Sequence, residues 1–244
     1  MAIELNGKVC VITGADEGVG YGLALGFLAR GARVAAGVLD SLSLPGLESA
    51  LVVPMDVTNE SQVISAIDRL IQTFGRIDVL INNAGIYPRH PAETMTYKEW
   101  RQVIDVNLEG SWRCANAVIP HMRAAGGGSI INVGSIALRL GMENLSHYHA
   151  SKGGVVGLTR GLARDLGKHG IRVNCLHLGA ILTEGEKRLF PDQEAILREM
   201  DQRQSITGRL TPESVEPTFA FFASSESASI TGQCLTIDKG WTHD

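Results

Sequence analysis

The chain has no apolar run long enough to cross a bilayer; stretches such as Val34 to Leu39 end after a few residues. It opens Met1-Ala2-Ile3-Glu4-Leu5-Asn6-Gly7-Lys8, without the basic region and long apolar stretch of a signal peptide. Cysteine is scarce: Cys10, Cys114, Cys175 and Cys234 are widely spaced, and no Cys-x-x-Cys pair occurs. Three of them sit in apolar, strand-like segments, where buried free thiols are the expected outcome and a reducing cytoplasm the economical setting. A net charge of −4 gives no electrostatic reason to expect nucleic acid or an anionic membrane as a partner. No low-complexity tract, internal repeat or linker divides the 244 residues. A hydrophobic content of 44% is that of an ordinary globular protein, and α/β chains of this length often form one domain.

What is present is an alternation. Short apolar, β-branched segments (Val9–Thr13, Arg33–Val38, Leu51–Met55, Val79–Asn82, Ser129–Val133, Arg172–Leu176, Cys234–Ile237) predict seven strands. Helical patterns lie between most of them, at Val19–Arg30, Glu60–Phe74, Trp100–Ala124, Ala150–Lys168 and Pro212–Ser224. Strands alternating with helices imply parallel pairing through right-handed crossovers, and hence a doubly wound sheet. Between Val38 and Leu51 the link is short and holds Pro45-Gly46, so a full crossover helix is not expected there. The charged segment Thr183 to Leu210 breaks the alternation, with one amphipathic helical stretch around Gln193–Gln204. It reads as a solvated excursion or, beside a site, as a lid.

Three features carry chemistry. Thr13-Gly14-Ala15-Asp16-Glu17-Gly18-Val19-Gly20 follows the first strand and opens a helix. There, glycines let the backbone turn and approach a pyrophosphate at the helix N-terminus. Tyr148 and Lys152 stand at i and i+4 on a helical segment, so phenol and ammonium share a face. The positive neighbour is expected to pull the tyrosine pKa down and make Tyr148 a proton donor or acceptor. Ser135 ends the fifth strand in Asn132-Val133-Gly134-Ser135, where its hydroxyl can hydrogen-bond a substrate oxygen.

Taken together, Thr13–Gly20, Asn82-Asn83-Ala84-Gly85, Asn107, Ser135 and Tyr148-x-x-x-Lys152 resemble the short-chain dehydrogenase/reductase family, from about residue 5 onward. The resemblance implies a single-domain, Rossmann-like, doubly wound parallel sheet of seven strands and hydride transfer to or from a nicotinamide cofactor. It also implies a homotetramer, with the two long helices paired across subunits. It assigns Tyr148 as acid/base, Ser135 to the substrate oxygen, Lys152 to both the tyrosine and the nicotinamide ribose, and Asn107 to a water linking Lys152 to solvent. The expected cofactor contacts are Gly14, Glu17, Gly18, Val19, Gly20, Asp40, Asp56, Val57, Asn83, Ala84, Gly85, Gly179, Ile181 and Thr183, with Tyr148 and Lys152.

Cofactor choice is a matter of charge, since a 2′-phosphate needs a cation and a free ribose diol prefers a carboxylate. No Lys or Arg occurs from Val34 through Asp68, and Glu17 stands where NADP-preferring relatives often carry a base. NAD is therefore expected over NADP. Asp40 is the ribose acid by spacing from the glycines, whereas matching strand ends puts Val38 there, so both assignments stay open. Asp56 is either the adenine contact or a turn-former.

No metal is required by this scheme. His147 and His149 flank the tyrosine at i and i+2 and point apart, so they cannot chelate one ion. Two departures from the family pattern stand out. Leu178-Gly179 replaces a usual Pro-Gly and should loosen that turn, and Asp238-Lys239-Gly240 replaces Asp-Gly-Gly. The leading expectation is an NAD-dependent oxidoreductase of secondary alcohols and ketones. An NADPH-linked 3-oxoacyl carrier-protein reductase is the runner-up, and a catalytically idle dinucleotide-binding protein the reading from another class. The pocket is expected from Ile86–Pro91, Ile136–Ser146 and Thr183–Leu210.

Overall fold

In the computed structural model, which describes residues 3–39 and 44–243, seven parallel strands form one sheet in the order 3-2-1-4-5-6-7. The strands are β1 (Val9–Thr13), β2 (Arg33–Val38), β3 (Leu51–Pro54), β4 (Val79–Asn82), β5 (Gly128–Ser135), β6 (Ile171–Leu178) and β7 (Cys234–Ile237). β1 and β4 are fully buried and read as continuous apolar runs, as strands covered on both faces must. The helices are α1 (Gly18–Ala29), α2 (Glu60–Phe74), α3 (Tyr97–Ile104), α4 (Gly110–Ala124), α5 (Ala137–Leu140), α6 (Ser146–Leu166), α7 (Glu184–Leu189), α8 (Gln193–Arg203) and α9 (Pro212–Ala223).

Two cores flank the sheet. On one face Leu23 and Phe27 of α1 meet Val215 and Phe219 of α9 over Ile12, Ile81 and Leu176. On the other, Ile67 and Leu70 of α2 pack with Val118 and Met122 of α4 over Val11, Leu80 and Val173. Strand order reverses between β1 and β4, and ligands of open α/β sheets bind in the crevice beyond the strand ends at such a point.

Several boundaries differ from the sequence reading. β5 and β6 each run past the expected ends and bring Ser135 and Leu178 into the ladder as register partners. The expected helix from Trp100 begins earlier, because Thr96 and Glu99 form a reciprocal capping box. It is then broken by a π-turn, Asp105–Glu109, that carries Asn107. The excursion after β6 holds two helices, α7 and α8, rather than one. Its base is closed where Leu182 N donates to Leu210 O at 2.8 Å.

The turn without its proline is not loosened. β6 continues through buried Leu178, whose carbonyl accepts from Ile136 N at 3.1 Å, and Gly179 N donates to Ile237 O at 2.9 Å. Lys239 adopts φ +57°, the left-handed region that favours glycine, and its ammonium donates to Thr207 O at 2.6 Å. All four cysteines are free. Cys114, on helix α4, is buried, whereas strand residue Cys234 is only partly so.

Candidate active site

The phosphate loop is built by close approach. A Cβ on Gly20 would stand 2.1 Å from Gly14 O and 2.5 Å from Asn83 Nδ2, and one on Gly14 would meet Ala84 Cα at 2.9 Å. Only glycine fits either place. Asn83 fastens the loop by donating through Nδ2 to the carbonyls of Thr13 and Gly14, both at 2.9 Å. Thr13 Oγ1 accepts from Asn83 N at 3.1 Å and from Ala84 N at 3.0 Å. The ends of β1 and β4 are thereby locked together beneath the crevice. Buried Gly20 serves this packing and does not face the open cleft.

A cleft of about 990 Å³ opens above the strand ends. Gly14, Glu17, Gly18 and Val19 line it from the loop, Asp56 and Val57 from the end of β3, and Asn83, Ala84 and Gly85 from the end of β4. Ser135, Tyr148 and Lys152 line the same cleft, as do Gly179, Ile181 and Thr183. Of the remaining expected contacts, Asp40 lies outside the described residues. The Asp56 carboxylate also serves its own turn, accepting from Thr58 N and Thr58 Oγ1 through Oδ1.

Lys152 is buried on α6, and its Nζ donates to Val133 O at 2.7 Å. It lies 5.7 Å from the Tyr148 ring centroid. Burial pulls the ammonium down to about 8, with neighbouring Cys175 acting the other way. Tyr148 departs from expectation. Burial pushes the phenol above its ordinary value, a side-chain hydrogen bond with Ser135 pulls the other way, and Tyr87 adds to the rise. The sequence shows the cation at i+4 but not the desolvation, and here desolvation is the larger effect.

Asn107 does not line the cleft. It is fully buried beneath it, where Oδ1 accepts from Ile86 N at 2.8 Å and Nδ2 donates to Ile86 O at 2.9 Å. A Cβ on Gly85 would lie 3.3 Å from Asn107 Oδ1 and 3.6 Å from Lys152 Nζ, so glycine leaves the space between them open. Neither His147 nor His149 lines the cleft; His147 packs edge-on against His90 at 5.6 Å.

Sequence reasoning named neither Trp241 nor His177, and gave Tyr87 and Arg188 only as members of the pocket segments Ile86–Pro91 and Thr183–Leu210. Tyr87 stands edge-on to Tyr148 at 6.1 Å, and Trp241 closes the cleft from the C-terminal segment. His177 holds the serine strand, its Nδ1 accepting from Ser135 N at 3.0 Å. Arg188 of α7 donates to Glu17 Oε2 at 2.6 Å, so the loop acid is not a lone charge. α7 is too short for a helix period to place Arg188, and no local pattern pairs residues so far apart in the chain.

The geometry is that of a dinucleotide cradle running into a serine, tyrosine and lysine cluster. The profile of a family described as enoyl-(acyl carrier protein) reductase matches residues 14–242. D-xylose 1-dehydrogenase of Caulobacter vibrioides is 37% identical over 243 residues, covering 98% of this chain and 97% of that one. The 3-oxoacyl-[acyl-carrier-protein] reductase of Thermotoga maritima is 39% identical over 249 residues, covering 98% and 99%. Among solved structures, Thermoplasma acidophilum aldohexose dehydrogenase in ligand-free form superposes with a TM-score of 0.91 at 32% identity, covering 99% and 96%. The chain belongs to the short-chain dehydrogenase/reductase family. It is an oxidoreductase that interconverts an alcohol and a carbonyl group, and its cofactor is a nicotinamide dinucleotide.

Proposed function

We propose that this protein is an NAD-linked dehydrogenase of a sugar or polyol, with Tyr148 as its acid and base. The observation that carries the reading is the convergence of Ser135, Tyr148 and Lys152 in the cleft that begins at the phosphate loop. The dinucleotide supplies or accepts the hydride. Ser135 and Tyr148 hydrogen-bond the reacting oxygen, and Tyr148 gives it a proton in reduction or removes one in oxidation. Lys152 holds the nicotinamide ribose and steadies the phenolate. Asn107 holds a water in the space left open by Gly85, through which Lys152 exchanges protons with solvent. Gly14, Gly18 and Val19 form the pyrophosphate cradle, and Gly20 lets the loop close beneath it. Asp56, Val57, Asn83, Ala84 and Gly85 face the adenosine half, and Gly179, Ile181 and Thr183 the nicotinamide end. The segment 183–210 serves as a lid.

The sugar assignment is supported by the xylose and aldohexose dehydrogenases among the relatives. A reductase of carrier-protein-bound 3-oxoacyl groups, using NADPH, is the second reading; the Thermotoga relative and the Arg188 cation at the loop favour it. The test is initial rates with pentoses, hexoses and tetritols, read as NADH absorbance, against rates with a 3-oxoacyl thioester and NADPH. Turnover of sugars with NAD is expected. Thioester reduction as the only activity would replace the sugar reading by the second, and binding of NADH without turnover of either would favour an idle binder.

The proposal includes a cytoplasmic homotetramer. Tyr97 (78% exposed), Trp112 (48%) and Trp100 (36%) leave large apolar surface open on α3 and α4, the kind of surface that subunit association buries. Light scattering at micromolar concentration should give four chain masses, and a monomer mass would rule the assembly out.

A further inference from the structure

Cys175, His177 and Cys234 take no part in the reaction proposed above. Cys175 and His177 stand two residues apart on β6 and so share one face of the sheet. Cys234 of β7 is the direct register partner of Cys175. The two sulfurs and a ring nitrogen all lie within 4.8 Å of one another. Gly134 makes the room: a Cβ there would stand 2.3 Å from His177 Nδ1 and 2.8 Å from Cys175 Sγ.

Two sulfurs and a nitrogen are the donor set of a soft cation, but the histidine is already engaged. His177 Nδ1 accepts the Ser135 amide at 3.0 Å, which puts the ring proton on Nε2. Neither nitrogen of the neutral ring then offers a lone pair to a metal. The ring keeps a proton to donate, with the Cys234 sulfur close beside it. The cluster is therefore two thiols and a donor.

Geometry lets the thiols join. Neighbouring strands are about 4.8 Å apart, inside the Cα separation of about 4.4–6.8 Å that a disulfide spans. The two sulfurs lie within 4.8 Å of each other. Access differs between them: Cys175 is buried, whereas Cys234 is partly open on the edge strand. Neighbouring Cys175 and then His177 pull the Cys234 thiol below its ordinary value, while Cys234 and then burial push Cys175 up. The more accessible thiol is thus also the one favoured toward the thiolate, the form that reacts.

We propose that Cys234 and Cys175 form a peroxide-sensitive redox pair whose state is read at Ser135 through His177. The Cys234 thiolate attacks one oxygen of a hydroperoxide; the O–O bond breaks, and the other oxygen leaves as alcohol or water after taking a proton. Cys175 then attacks the Cys234 sulfenic sulfur and forms the S–S bond, and hydroxide leaves as water with the Cys175 proton. Two thiols are oxidised and one hydroperoxide is reduced. The disulfide no longer accepts from His177 as a thiolate does, and the ring that holds the Ser135 amide is released on that side. This coupling rests on the role given to Ser135 above, whereas the crosslink does not.

The experiment treats the full-length protein with hydrogen peroxide, alkylates it after unfolding, and maps the peptides by mass. The expected product has lost two hydrogens, joins Cys175 to Cys234 and is reversed by dithiothreitol, with Cys10 and Cys114 still open to alkylation. Cys175→Ser should stop at a sulfenic acid on Cys234 that dimedone traps, and Cys234→Ser should give neither product. Turnover of the oxidised protein should fall by about fivefold, the scale of one hydrogen bond, and recover with thiol. The Cys234→Ser protein should turn over at a rate that peroxide does not change. Full alkylation of both cysteines after peroxide, or a zinc ion found on the untreated protein by native mass spectrometry, overturns the redox pair. A crosslink that leaves turnover unchanged overturns the link to Ser135.

Discussion

Arg188 donates to Glu17 across 2.6 Å and so ties helix α7 to the phosphate loop. Both side chains are more than half exposed, and a pair of this kind contributes little to stability. Its importance is electrostatic and local. The acid that would repel a 2′-phosphate is neutralised by a cation 171 residues further along the chain.

Cofactor preference should therefore respond to the two residues in opposite directions. The wild-type protein is expected to favour NAD over NADP in kcat/KM by about tenfold or more, roughly 1.4 kcal/mol. Glu17→Ala leaves Arg188 free near the ribose and should narrow that ratio. Arg188→Ala leaves Glu17 bare and should widen it. Steady-state kinetics with both dinucleotides decides the matter, and a ratio that moves the same way in both variants would refute the charge argument.

The alternation that defines the sheet was legible because apolar periodicity is local: each strand was recognised from its own few residues. So were the loop glycines and the i, i+4 pair of Tyr148 and Lys152, since backbone geometry fixes what such spacings mean. The rest depends on distant partners. The hydrogen bond from Ser135 N to His177 needs β5 and β6 in register, which no window of sequence reveals even though Gly134 itself is plain there. The rise of the Tyr148 pKa needs burial, and burial belongs to the folded state. Helices as short as α5 and α7 carry too few turns for a periodic pattern.

Lys152 is a burden on the fold. Its pKa is lowered to about 8 in the folded state, against about 10.4 when unfolded. Below about 8 both states hold the proton, and the folded state carries a buried charge. Between those values the unfolded chain binds more protons, so stability rises with pH across that window. Lys152→Met removes the buried ammonium but leaves Val133 O without its donor, and should still stabilise the protein by roughly 1 to 2 kcal/mol near neutral pH. The gain should shrink as pH climbs toward 10.4. Urea unfolding at neutral and alkaline pH reads this, and a variant no more stable than wild type at neutral pH would contradict it.

The chemistry assigned to Tyr148 has its own signature. Burial raises the phenol in the free protein, so the base form needed for alcohol oxidation is scarce near neutral pH. Oxidation in kcat/KM should therefore climb toward alkaline pH, and carbonyl reduction should not. Tyr148→Phe keeps the ring against Tyr87 and removes the transferable proton. Turnover should drop by about 10²-fold or more while NADH still binds. Ser135→Ala loses one donor to the developing oxyanion and should cost a similar order. Lys152→Ala should lower both turnover and NADH affinity, because one ammonium serves the tyrosine and the ribose together. Fluorescence titration of NADH beside kcat for each variant separates these roles. A Tyr148→Phe protein with near-normal turnover would mean that the proton comes from another group in the cleft.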